Sequence, residues 1–151
     1  MSIINKIVDF QLKRRFKKLK AVSENPLEIQ DNLLMNLLKL SKKTMYGYKY
    51  KYDEIRSYQS FSRRLPLVTY EEYFPIISKI LKGEKNISWP GKIKWFAKSS
   101  GTTNDKSKFI PVSREALSDC HFKAGKDLLS AHLNNYPNSK IFGGKSLAIG
   151  G

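Results

Sequence analysis

Apolar residues recur at helical spacing from the start of the chain: Ile3, Ile4, Ile7, Val8, Phe10, Leu12, Phe16 and Leu19. That period predicts an amphipathic helix reaching about Lys20, with Lys13, Arg14, Arg15, Lys17, Lys18 and Lys20 on its polar side. Ser23-Glu24-Asn25-Pro26 interrupts it. Asn25 suits the cap of a second helix, Pro26 its first position, and Glu28 falls at capping-box spacing. Leu27, Ile29, Leu33, Leu34, Leu37, Leu38 and Leu40 then give that helix a strongly apolar face, and the two helices are expected to pack as a hairpin.

Gly47, within Thr44-Met-Tyr-Gly-Tyr48, predicts a turn that closes this unit. A short helix is predicted over Ser57–Arg64, ended by Leu65-Pro66. Thr69 and Glu72 form a capping box for a helix running to about Lys82 and stopping at Gly83, with Pro75 expected to kink or split it. The pattern changes at Trp89-Pro90-Gly91. Ile93, Trp95 and Ala97 alternate with Lys92, Lys94 and Lys98, the period of a strand. A polar loop follows, then a second short strand, Lys108-Phe-Ile-Pro-Val112. Ser113 is placed to cap a helix over about Arg114–Leu133, and Lys145–Ile149 reads as a further strand. The expected organisation is a helical region over 1–90, followed over 91–151 by the start of a truncated α/β nucleotide-binding domain.

Charge narrows the partners. Lys and Arg number 28 against 13 acids, a formal net charge of +15, which favours nucleic acid, phosphorylated ligands or an anionic membrane surface. Cys120 is the single cysteine, so no intrachain disulfide can form. Two histidines without a cysteine cluster leave no zinc signature. The N-terminus lacks a secretory pattern and no run approaches the ~20 apolar residues that span a bilayer, so a soluble cytoplasmic protein without membrane insertion is expected.

The stretch Ser99-Ser-Gly-Thr-Thr-Asn-Asp-Lys-Ser-Lys108 carries the chemistry. Hydroxyls and backbone N–H groups around a glycine turn can surround phosphate oxygens, and a lysine adds a point charge. The same residue types also make ordinary solvated hairpin loops. Three other signals weigh less. In Gly143-Gly-Lys145-Ser146 the first glycine of a Walker loop would fall on Ser139, and the segment leads into a predicted strand rather than a helix. The Lys13–Lys20 run reads as the wet side of a helix. Tyr46, Tyr48, Tyr50 and Tyr52 alternate with other residues in a lysine-rich stretch, compatible with base stacking but better read as packing, because no RNA-binding motif accompanies them. Cys120 and His121 point apart on a helix and do not make a nucleophile–base pair. No catalytic or metal-ligating residue is assigned.

The loop resembles the Ser/Thr/Gly-rich signature of the adenylate-forming superfamily. More narrowly, Ser99, Ser100, Gly101, Thr102, Thr103, Lys108 and Pro111 match the form Ser-Ser-Gly-Thr-(Thr/Ser)-x-Gly-x-x-Lys, two apolar residues, Pro. That form is typical of the auxin-responsive Gretchen Hagen family of acyl-acid amido synthetases and its bacterial relatives. Asp105 stands where that form has glycine. Leu65-Pro-Leu-Val-Thr-Tyr-Glu-Glu72 and Trp95-Phe-Ala-Lys-Ser-Ser100 are similar to the bacterial branch. The resemblance implies an α/β adenylate-forming fold, here incomplete, with a helical N-terminal layer. It implies ATP, with Mg²⁺, a small carboxylic acid and an amine acceptor. Ser99, Ser100, Gly101, Thr102, Thr103 and Lys108 would hold the triphosphate. The adenine, acid and metal contacts would come from a C-terminal remainder, so the chain alone is expected to be inactive. The rival reading is a small basic helical module that binds nucleic acid.

Overall fold

The computed structural model describes residues 3–99, 107–143, 145 and 147. Contacts divide the chain into two compact units, one built from residues 1–25 and 119–151 and the other from residues 26–118. The division at Asn25 falls between the two helices expected to pair.

In the first unit, helix α1 (Ile3–Glu24) packs along helix α6 (Phe122–Asn135). Leu12 and Leu133 are buried, and the buried Ser130 hydroxyl donates to the Leu12 carbonyl at 2.7 Å. Arg15 Nε lies 2.6 Å from Asp127 Oδ1, and an Arg15 guanidinium N–H donates to the Lys123 carbonyl at 3.2 Å. The partner of α1 is therefore distant in sequence, and the expected pairing with the next helix is replaced. Helical periodicity shows that a face needs cover without naming what covers it. Of the predicted apolar face, Phe16 and Leu19 are half-buried and Phe10 is 67% exposed; the side chains of Ile3, Ile4, Ile7 and Val8 lie outside those described.

The second unit opens with α2 (Pro26–Ser41), followed by a short helix α3 (Met45–Lys49). Leu38 of α2 is buried, whereas Leu27, Ile29, Leu33, Leu37 and Leu40 are exposed. Thr44 joins the two helices. Its buried hydroxyl donates to the Ser41 carbonyl at 2.7 Å and accepts from the Gly47 N–H at 3.0 Å. Gly47 is not the expected chain break; it lies inside α3 because nothing larger fits. A Cβ there would stand 2.3 Å from the Ser41 carbonyl oxygen and 2.6 Å from that of Lys42, both backbone atoms. Gly47→Ala should therefore destabilise the unit by about 1–3 kcal/mol through overpacking. A denaturation midpoint unchanged from wild type would show that the backbone yields there at no cost.

A 3-10 turn at Tyr52–Glu54 leads to α4 (Tyr58–Arg64), capped by Ser57 in a reciprocal box with Ser60, and to α5 (Tyr70–Leu81). The Thr69–Glu72 capping box forms as read: Glu72 N–H donates to the Thr69 hydroxyl at 3.3 Å, and Thr69 N–H donates to the Glu72 carboxylate at 2.7 Å. That backbone N–H first, and then the hydroxyl, hold the exposed Glu72 carboxyl below its ordinary pKa. Pro75 sits inside α5 without splitting it, and the helix ends at Gly83, whose φ of 85° is left-handed and strained for any side chain. The inner face of α5 supplies Ile76, Ile77 and Ile80. Ile80, Ile87 and Ile93 form the core cluster, with Met45, Ile76, Trp89 and Phe96 packed against it. Met45 and Tyr46 N–H groups donate to the Asn86 and Ile87 carbonyls, tying α3 to the loop after α5.

Strands β1 (Trp95–Lys98) and β2 (Phe109–Val112) pair antiparallel, Trp95 with Val112 and Lys98 with Phe109. The alternation predicted Ile93, Trp95 and Ala97 inward. Ile93 is buried, but it precedes the strand; within β1 Phe96 turns to the core while Trp95 and Ala97 are exposed. The buried side carries the fully apolar Phe96 ring rather than the larger Trp95 indole, whose polar N–H is left towards the exposed face. Helical backbone then begins at Arg114, with the Ser113 hydroxyl accepting from Ala116 N–H at 3.0 Å. It passes through a π-helical segment, Ala116–His121, before α6, so the expected single α-helix carries a wider turn. The predicted strand at Lys145–Ile149 lies largely outside the described residues.

Candidate functional site

The two strands place both ends of the polar loop side by side. Ser99 N–H donates to the Lys108 carbonyl at 2.9 Å, and Lys108 N–H donates to the Ser99 hydroxyl at 3.0 Å. Ser99 thus closes the hairpin with its side chain and anchors the loop base. Ser100, Gly101, Thr102 and Thr103, singled out from the sequence, lie outside the described residues. So does Asp105.

Lys108 emerges where the hairpin meets the start of α5. Its ammonium is 3.6 Å from Glu71 Oε1 and 5.0 Å from the centre of the Tyr70 ring, a cation–π distance. Tyr70 also grips the strand that carries Lys108. Its hydroxyl accepts from Phe109 N–H at 2.9 Å and lies 3.3 Å from the Phe109 carbonyl, to which it donates. The pairing explains why Phe109 needs this partner. With Ser99 and Lys108 hydrogen-bonded across the ribbon, Phe109 falls at the next, non-bonded pair and turns its polar groups away from β1. Pro111 shares that parity, so its missing N–H removes no bond of the ladder.

Tyr70 and Glu71 received no role from the sequence alone, although both belong to the Thr-Tyr-Glu-Glu segment that precedes the loop. Their contacts bridge 37 to 39 positions, as in Tyr70 to Phe109 with a separation of 39, and no local pattern reports that. On the flank, Trp89 Nε1–H donates to Glu115 Oε2 at 2.9 Å. Glu115 is held below the ordinary carboxylate pKa first by its own backbone N–H and then by the Trp89 indole.

The chemistry of this donor set suits a phosphate chain: a half-exposed ammonium on the residue that ends the polar stretch, with the sequence of that stretch supplying hydroxyls and a glycine. Among the described residues, no three His, Cys, Asp or Glu side chains gather as a metal site. Among the described residues, no helix is long and apolar enough to cross a membrane.

The tyrosine–lysine stretch is built for packing. Tyr46 lies 4.9 Å from Tyr50 and 5.6 Å from Tyr73 between ring centres, while Lys49 sits over Tyr46 and Tyr50. Burial first, then the neighbouring tyrosines, push the Tyr52 hydroxyl up to about 12. Rings engaged with one another are not arrayed for bases, although Tyr48 is exposed. Cys120 is exposed, and His132 Nε2 is 2.8 Å from the Ser139 hydroxyl, a local contact.

Comparison with known proteins places this geometry. The profile of a family described as "GH3 family N-terminal domain" matches residues 15–150. The 4-substituted benzoates-glutamate ligase GH3.12 of Arabidopsis thaliana is 30% identical over 115 residues, 75% of this chain and 20% of the relative. The jasmonoyl-L-amino acid synthetase JAR4 of Nicotiana attenuata is 26% identical over 116 residues, 76% of this chain and 20% of the relative. A solved structure, the GH3.15 acyl acid amido synthetase, is similar over 80% of this chain and 22% of its own, with a TM-score of 0.68 and 28% identity. The chain spans about a fifth of the length of the curated relatives it matches.

Proposed function

Because the chain belongs to the GH3 family through that family's N-terminal domain, we propose that it supplies the triphosphate-binding loop of an ATP-dependent acyl-acid amido synthetase. Its fold, mostly helical with one antiparallel ribbon, is a portion of the adenylate-forming architecture of the solved relative. The observation that carries the reading is the placement of Lys108. The hairpin pairs Lys108 with Ser99, the two residues that bound the Ser-Ser-Gly-Thr-Thr-containing stretch in sequence, and Tyr70 carries its ammonium over the ring face.

In this reading a carboxylate attacks the α-phosphorus of ATP, giving an acyl-adenylate and pyrophosphate. An amine then takes the acyl group and AMP leaves. Ser100, Gly101, Thr102, Thr103 and Lys108 act in the first half. They receive the β- and γ-phosphates, and Lys108 offsets the charge that accumulates on the departing pyrophosphate. Ser99 serves the loop by holding its two ends together. Mg²⁺ bound to the nucleotide would share that charge, with its protein ligands lying beyond the described residues. The change of pattern near residue 90 then marks where the helical layer passes into the nucleotide-binding portion, although residues 26–118 pack as one compact unit across it. A cytoplasmic setting suits an ATP-consuming enzyme whose domain carries a single, unpaired cysteine.

The test is acid-dependent exchange of labelled pyrophosphate into ATP. A synthetase carrying this domain at the length of its relatives should show it. The 151-residue chain by itself should not, because adenylation needs base, ribose, metal and acid contacts converging on one cleft. Its affinity for ATP should be no tighter than about millimolar, the scale of a ~4 kcal/mol interaction. Micromolar ATP binding or measurable exchange by the isolated chain would refute this division of labour.

A further inference from the structure

The Lys108 ammonium already faces an anion. Glu71 Oε1 stands 3.6 Å from it, with the Glu71 side chain 70% exposed and that of Lys108 47% exposed. An exposed pair at this distance is weak and readily exchanged. Glu71 lies in the first turn of α5, where a carboxylate is favoured by the helix dipole whether or not it meets a lysine. The helix therefore favours a carboxylate within reach of the lysine, while Tyr70, one residue earlier, holds both the lysine and its strand.

We propose that Glu71 is a built-in competitor for Lys108, an anionic placeholder that occupies the phosphate-binding lysine until a polyphosphate displaces it. The proposal rests on the phosphate role of Lys108 and adds the device that sets its threshold. A polyphosphate carries several charges to the exchange and Glu71 only one, so displacement favours the polyphosphate; a monoanion gains little. The carboxylate then swings into solvent, which its exposure permits. Glu71 thereby lowers the affinity of every anion at this lysine by the same factor, which leaves appreciable occupancy only to those whose own attraction is strong, the polyphosphates.

The test is a titration of the 151-residue chain with inorganic tripolyphosphate at low ionic strength, followed by NMR of the Ser99 and Lys108 amides. It uses wild type, Glu71→Gln, Lys108→Ala and the double variant, with thermal melts to confirm that each is folded. Glu71→Gln should tighten tripolyphosphate binding by about two- to five-fold, the range set by one surface ion pair. In the Lys108→Ala background the same change should have almost no effect. An equal gain in both backgrounds would mean that Glu71 acts only through general charge, and would overturn the proposal. So would an unchanged or weaker affinity of Glu71→Gln while Lys108→Ala loses binding, a result that leaves the phosphate role of Lys108 standing. If Lys108→Ala binds as wild type does, the phosphate role itself falls, and the competitor with it.

Discussion

In a synthetase carrying this domain, Lys108→Ala is expected to lower acid-dependent ATP–pyrophosphate exchange by one or more orders of magnitude, on the scale of the ~2.7–4 kcal/mol lost with a charge-stabilising contact. The side chain has no evident structural duty that would mimic this loss. It is half-exposed, and its ion pair with Glu71 and its position over Tyr70 are both surface contacts. Its backbone bonds to Ser99 survive the substitution, so the hairpin should remain closed. A control follows from the sequence of the loop. Lys106→Ala removes an equal charge from the loop without touching the position that matches the family form, and should cost far less. Exchange unchanged in folded Lys108→Ala would refute the phosphate role of Lys108, and an equal loss in both variants would reduce it to general charge.

The second large effect concerns the core. Ile80→Ala should destabilise the second unit by about 2–5 kcal/mol, through lost burial and the cavity left behind. Ile80 is 2% exposed and packs with Ile87 and Ile93 beneath Trp89 and Phe96. Leu81, the next residue on the same helix, is 43% exposed, and Leu81→Ala should change stability by less than about 1 kcal/mol. Chemical denaturation followed by tryptophan fluorescence reads both, since Trp89 lies against the cluster. Similar losses from the two substitutions would mean that the face of α5 has been misassigned. The site depends on this face. It places the first turn of α5, and with it Tyr70 and Glu71, beside β2.

What the sequence determined by itself was local. The Thr69–Glu72 box, the short helix ending at Arg64, the stop at Gly83 and the two strands flanking the Ser99–Lys108 stretch each depend on residues a few positions apart. Backbone hydrogen bonding at such spacing is settled by residue type, so reading it needed no tertiary information. The loop motif was legible for the same reason: its side chains and turn are contiguous. The tertiary structure decided what each face meets. Periodicity marked α1 as amphipathic, yet α6, more than a hundred residues away, is its partner, held by Ser130 on the Leu12 carbonyl. Alternation marked β1 as a strand, yet packing against the Ile80, Ile87 and Ile93 cluster put Phe96 on the buried side and left Trp95 exposed. Tyr70 and Glu71 gained their relation to Lys108 only when α5 packed on β2. Burial is non-directional and many apolar surfaces can satisfy one another, so a sequence period says that a face must be covered, and only the packed chain selects its partner.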